Sequence, residues 1–280
     1  MDADSFETWG EATPASPVVI SVPHAGRNYP RALRAALRAP LAAAVAMEDR
    51  HVDAVALAAR GAETLIVQRR ARAWIDLNRA ENERDPCADE GARTDVASTA
   101  KVANGLGLVP RRSGTVELWG RRLTDDEVAA RIASDHRPFH AALAGALAAA
   151  RARWGAAVLL DLHSMPPLTG AARGVRLVLG DRFGRSAGSR FVARAEAVAA
   201  AAGLPAKLNA PYAGGHILDR HGRPAAGVHA LQLELDRSLY LDPALDRPGP
   251  GLARMAAIVR AMLAALADEA LAHASRRAAE

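Results

Sequence analysis

Short unbroken apolar runs alternate along the chain with longer stretches in which alanine and leucine recur between arginines and acids. Apolar runs bounded by breakers are the pattern of strands buried on both faces of a parallel sheet. They occur at 17–22, at Thr64–Val67, at Val158–Leu162 just before His163, at Val175–Gly180 and at Val228–Leu235. The longer stretches predict helices. One runs from Pro30 to about Ala44, with the proline in the first turn, where its missing N–H is harmless. Another opens at Glu48 and stops at Gly61. A third begins at Thr124, whose spacing to Glu127 is that of a capping box, and runs towards Trp154 with a break at Pro138. Ser189–Ala202 and about 251–275 complete the set. Residues 23–30 and the Gly-rich Asn209–His216 read as loops, and Gly114–Gly120 as a small hairpin. The polar stretch from Ala80 to about Leu108 is long for a loop in a compact domain, which is usually a mark of function or mobility. Residues 1–16 read as a mobile lead-in, and 17–280 as a single α/β domain.

Composition narrows the function classes. Half of the 280 residues are hydrophobic, enough for a large core. A single cysteine, Cys87, forbids an intramolecular disulfide, so a reducing compartment, the cytoplasm, is expected. The opening MDADSFETWG has neither a basic n-region nor an apolar h-region, so no secretory signal is expected. The apolar stretches are Ala-rich and interrupted by arginine, which argues against a membrane span. The formal charge is +5, carried by arginines, with Lys101 and Lys207 the two lysines. These cations are scattered and aromatics are 4%, so a nucleic-acid surface is not expected. Solvated helix faces and a basic pocket for a small acidic substrate account for the charge. No Walker or dinucleotide fingerprint occurs.

Candidate chemistry gathers where apolar runs end. In open α/β sheets reactions take place just past the carboxyl ends of strands. The run Val158–Leu162 leads into His163-Ser164-Met165-Pro166, and the run Val18–Val22 leads into Pro23-His24-Ala25-Gly26. A single histidine there is a ligand, a general base or a hydrogen-bonded turn residue. Two, far apart in sequence, fit a metal site assembled across a sheet. Hydrolytic zinc takes three protein ligands and keeps one position open, so His24, His163 and a carboxylate would suffice. Asp161 either orients His163 or caps its turn. Glu48, Asp49 and Asp53 fall at a helix start, where the macrodipole accounts for at least one of them. Arg72 precedes Asp76-Leu77-Asn78-Arg79, a set suited to a bidentate grip on a carboxylate. The alternative is a surface arginine after a short strand. Glu234 lies on an otherwise apolar run. Burying it requires a partner or a role, a salt bridge with Arg237, proton transfer beside a metal, or both.

These pieces, taken in order, resemble the N-formylglutamate amidohydrolase family. The resemblance covers most of the chain. It is carried by Ser-Val-Pro-His-Ala-Gly (21–26), Glu-Asp-Arg-His-Val-Asp (48–53), Ile-Asp-Leu-Asn-Arg (75–79), Arg-Pro-Phe-His (137–140), Asp-Leu-His-Ser-Met (161–165), Asn-Ala-Pro-Tyr-Ala-Gly-Gly-His (209–216) and Gln-Leu-Glu-Leu-Asp-Arg-Ser-Leu-Tyr (232–240). It implies a mixed, largely parallel central sheet flanked by helices, similar to the zinc carboxypeptidase and aspartoacylase architecture. It also implies one Zn2+ per chain held by His24, His163 and an acid. Zinc carboxypeptidases place a glutamate three residues after the first histidine. Arg27 stands there in this chain, so the acid must come from elsewhere, and the Asp-x-x-Val-Asp part of the 48–53 motif implies Asp49, with Glu48 the alternative. Glu234 would be the catalytic base, and Arg72, Asn78, Arg79, Gly214 and Gly215 would bind the substrate. The implied activity is hydrolysis of N-formyl-L-glutamate, or a close N-acyl acidic amino acid, to formate and glutamate, in histidine degradation. The competing readings are a carboxypeptidase-like hydrolase of another N-acyl or peptide substrate and a non-catalytic anion-binding relative.

Overall fold

A computed structural model describes residues 5–11, 13–93, 99–204 and 206–278. The chain divides into two compact units. The first comprises Met1–Glu7, Pro23–Glu48 and Gln68–Ala141, the second Thr8–Val22, Asp49–Val67 and Ala142–Glu280. Within the stretch expected as a lead-in, Phe6–Trp9 forms a strand, β1.

The apolar runs become the sheet. β2 (Val18–Val22), β3 (Thr64–Gln68) and β6 (Ala157–Met165) are buried along their whole lengths. Between them in the chain, Arg112–Ser113 (β4) and Val116–Glu117 (β5) form a small antiparallel hairpin. β7 (Leu177–Gly180), β8 (Ala206–Leu208) and β9 (Val228–Asp236) complete a seven-stranded sheet in the order β1-β3-β2-β6-β9-β7-β8. β2 pairs in parallel with β3 and β6, β6 with β9, and β7 with β8, while β7 runs antiparallel to β9. The sheet is therefore mixed and largely parallel.

The helices depart from expectation where prolines intervene. Instead of one helix over 30–44, Arg31–Ala36 (α1) and Leu41–Val45 (α2) are separate. Pro40 lacks the N–H a continuous helix needs, and Leu37 turns extended to bridge Trp119. The helix expected from Glu48 starts only at Val52 (α3, Val52–Ala59), because His51 adopts a left-handed conformation, φ 56°. Glu48 and Asp49 thus precede the helix, and the macrodipole reading holds only for Asp53. The polar stretch 80–108 contains α4 (Ala100–Ala103), and its residues 94–98 lie outside the described ones. Thr124 caps α5 (Asp125–Arg131) with a complete capping box. The break near Pro138 is a π-helical turn, Ile132–His136, followed directly by α6 (Arg137–Trp154). A proline cannot donate to the preceding turn, and a wider turn relieves the mismatch.

In the second unit, α3 and α9 (Leu252–Ala278) pack on each other and on β2 and β6, and α7 (Ser189–Ala201) packs on α9, β7 and β8. The short α8 (His216–His221) lies against β6 and β9. Among the described residues no helix is long and apolar enough to cross a membrane.

Candidate active site

The second unit carries one half of the predicted residues. The strand expected to end at His163 continues to Met165, so His163 sits inside β6 and pairs in register with Glu234 of β9. Register partners on parallel strands project from the same face, and so do residues two apart. Asp161, His163, Gln232 and Glu234 therefore share one side of the sheet. His163 Nε2 meets Asp161 Oδ2 at 2.8 Å, and its Nδ1 meets Asp49 Oδ2 at 2.9 Å. Ser21 Oγ in turn donates to Asp161 Oδ1 at 2.8 Å. Burial alone disfavours an imidazolium, but Asp161, Asp49 and Glu234 outweigh it and hold the His163 pKa well above its ordinary value.

Glu234 lies two residues from Gln232 on the same face of β9. Its Oε1 accepts a hydrogen bond from Gln232 Nε2 at 3.0 Å. Arg237 reaches Ser164 Oγ at 3.2 Å and Asp49 Oδ1 at 3.4 Å. Gly214, with φ 95°, and Gly215 precede α8 in this unit.

The first unit carries the other half of the predicted residues. His24 Nε2 is 2.7 Å from Asp76 Oδ1, and both side chains are buried. Arg72 Nε and Nη2 donate to Asp76 Oδ2 at 2.9 and 2.8 Å. Burial by itself would raise the Asp76 pKa, but Arg72, Arg79 and His24 together hold it well below the usual carboxylate range. Asn78 N donates to Asp76 Oδ1 at 2.8 Å. Arg79 is almost fully buried, with Nε on Leu106 O and Nη1 on Asn78 O, each at 2.7 Å. Glu48, the alternative acidic ligand, accepts a hydrogen bond from Tyr29.

His24 and His163 thus share one arrangement. In each, Nε2 faces a buried carboxylate, which fixes the ring and leaves Nδ1 as the atom that could coordinate a metal. His24, Asp49 and His163 each offer a buried ligand atom of a kind zinc accepts. Asp76, Ser21 and Lys101, which lies among the charges of Arg79, Asp76, Arg72 and Glu83, were not assigned roles from the sequence. For Asp76 a signal existed, since an acid set among arginines in an apolar motif needs a buried partner.

The family model for N-formylglutamate amidohydrolase matches residues 16–241. An N-formylglutamate deformylase of Pseudomonas aeruginosa is 31% identical over 273 residues, covering 93% of this chain and 95% of that protein. One from Pseudomonas putida is 30% identical over 239 residues, 81% of this chain and 82% of the relative. The crystal structure of an N-formylglutamate amidohydrolase from Ralstonia eutropha superposes with a TM-score of 0.83 at 31% identity, over 98% of this chain and 99% of that one. A gene product of Agrobacterium tumefaciens, 21% identical with a TM-score of 0.70 over 98% of this chain and 97% of its own, shares the fold. The chain belongs to the N-formylglutamate amidohydrolase family.

Proposed function

We propose that this protein is a zinc-dependent deformylase that hydrolyses N-formyl-L-glutamate to formate and L-glutamate. The observation that carries the metal assignment is the shared arrangement of His24 and His163, each with Nε2 on a buried carboxylate. In this reading His24, Asp49 and His163 hold one zinc ion, and the enzyme works in the cytoplasm. The donor set suits the metal, since two imidazole nitrogens and one carboxylate oxygen are three of the four ligands that zinc takes. When bound, zinc supplies Lewis acidity, lowering the pKa of water to about 7 and polarising an acyl oxygen.

The chain's own residues do the rest. Glu234 takes a proton from the attacking water as the new C–O bond forms at the formyl carbon. It returns that proton to the glutamate nitrogen as the C–N bond breaks, so formate leaves and the amine is free. The hydrogen bond from Gln232 holds the Glu234 carboxylate in place. Asp161 and Asp76 keep the two imidazoles in one orientation. Arg72, Asn78 and Arg79 supply the cationic surface for the substrate carboxylates, and Gly214 and Gly215 let the substrate approach the backbone closely.

The test is metal content and turnover on one preparation. About one zinc per chain is expected, with chelation abolishing deformylation and added zinc restoring it. Glu234→Gln should keep the zinc and lose about 10²–10⁴-fold in kcat with little change in KM. Full activity in metal-stripped protein would overturn the proposal.

A further inference from the structure

The substrate-binding arginine sits on a backbone held from behind by two histidines without an assigned role. His136 Nε2 is 2.8 Å from the carbonyl oxygen of Arg79, and His140 Nε2 is 3.0 Å from that of Leu77. Both residues are completely buried. A carbonyl only accepts, so each ring carries its proton on Nε2 and donates it. The rings lie 4.4 Å apart between centroids, tilted by 51°.

The π-helical turn makes this possible. His136 closes it and His140 lies one turn later, at the start of α6. Residues four apart on a helix face the same way, so both rings reach one segment. The same surface grips that segment along its length. Asp135, also fully buried, accepts from Trp74 Nε1 at 3.0 Å and pairs with Arg70 at 2.8 Å. Arg131 lies 3.8 Å above the Trp74 ring and donates to the Trp74 carbonyl oxygen at 2.9 Å. From Arg70 to Arg79 the chain is thus tied at four places to the helix opposite.

Apolar residues would fill such an interior without any need for partners. Buried imidazoles require hydrogen bonds to offset their desolvation, and they add direction in return. Here the direction falls on the two carbonyls that bracket Asn78. The side chain of Arg79 is itself clamped to Leu106 and Asn78 carbonyls, so turning the backbone turns the guanidinium.

We propose that His136 and His140 are positioning residues that aim Asn78 and Arg79 at the substrate carboxylate. This rests on the substrate assignment above. His136→Leu and His140→Leu should each raise KM for N-formyl-L-glutamate about tenfold, the scale of one lost hydrogen bond to a positioned group, while kcat falls less than about threefold and zinc stays bound. Glutamine, which keeps an N–H near the reach of Nε2, should restore most of the KM. Asparagine, polar but too short, should not, and it makes the same comparison if a leucine variant fails to fold. An unchanged KM in folded leucine and asparagine variants would overturn the proposal, leaving the histidines as filler. Amide hydrogen exchange of residues 76–79 separates this from the substrate assignment. If wild type does not turn over N-formyl-L-glutamate, that assignment fails, and the positioning role stands or falls on whether exchange quickens in the leucine variants and not in the glutamine ones.

Discussion

Glu48 and Asp49 are neighbours of like charge with different surroundings. Glu48 accepts from the Tyr29 hydroxyl, whereas Asp49 faces His163 Nδ1. Asp49→Asn should therefore weaken zinc binding at least tenfold, and Glu48→Gln should change it far less, as zinc titration with a competing chelator would measure. The reverse order would exchange their roles. Lys101 adds a third cation beside Arg72 and Arg79. Although Lys101 remains exposed, partial desolvation and the Arg79 and Arg72 charges push its pKa down to about 8, against the pull of Asp76 and Glu83. Below that pH it is charged and attracts an acidic substrate. As pH rises through 8 the charge is lost, so KM for N-formyl-L-glutamate should climb between about pH 7.5 and 9. Lys101→Arg should flatten the climb. An identical profile in Lys101→Met would remove Lys101 from the site.

Elements place these residues by register and by close approach. His163 and Glu234 share a face because β6 and β9 pair in parallel at that register, and a slip of one residue would send Glu234 to the opposite face. The turn after β2 depends on Gly26. A Cβ there would stand 2.0 Å from the Arg70 carbonyl oxygen, a backbone atom that cannot swing aside. Gly26→Ala should therefore destabilise the protein by about 1–3 kcal/mol or more, the range of overpacking, seen as a lower urea midpoint. It should also weaken zinc binding, since His24 is two residues away. A variant as stable as wild type would mean that the backbone here yields. The Pro138 break was legible in sequence only as an interruption. Whether a helix kinks, stops or widens into a π-turn depends on what its face must reach, and here that is the 70–79 segment.

At the scale of the whole molecule, acid should unfold the protein partly through His221. It is buried, and desolvation, helped by the Arg220 and His216 charges, lowers its pKa from 6.5 to about 4. Above pH 6.5 it is neutral folded or unfolded. Between 6.5 and 4 the unfolded chain takes up a proton that the folded one refuses, so stability falls with pH. Urea midpoints across this range should fall less steeply for His221→Gln than for wild type, and equal slopes would assign the acid sensitivity elsewhere. The buried strands, the capped helix at Thr124 and the family were legible along the chain, because apolar periodicity, capping spacing and ordered motifs are properties of near neighbours. The sequence also marked His24, His163 and Glu234 by their places at the ends of apolar runs. Tertiary structure alone decided that Asp76 supports His24 from 52 positions away and that Asp49 meets His163 across 114. It decided too that Arg237 reaches Asp49 and Ser164. A carboxylate's role follows from which donor reaches it through a low-dielectric interior, and that choice is made by strand register and turn geometry, which local periodicity does not encode.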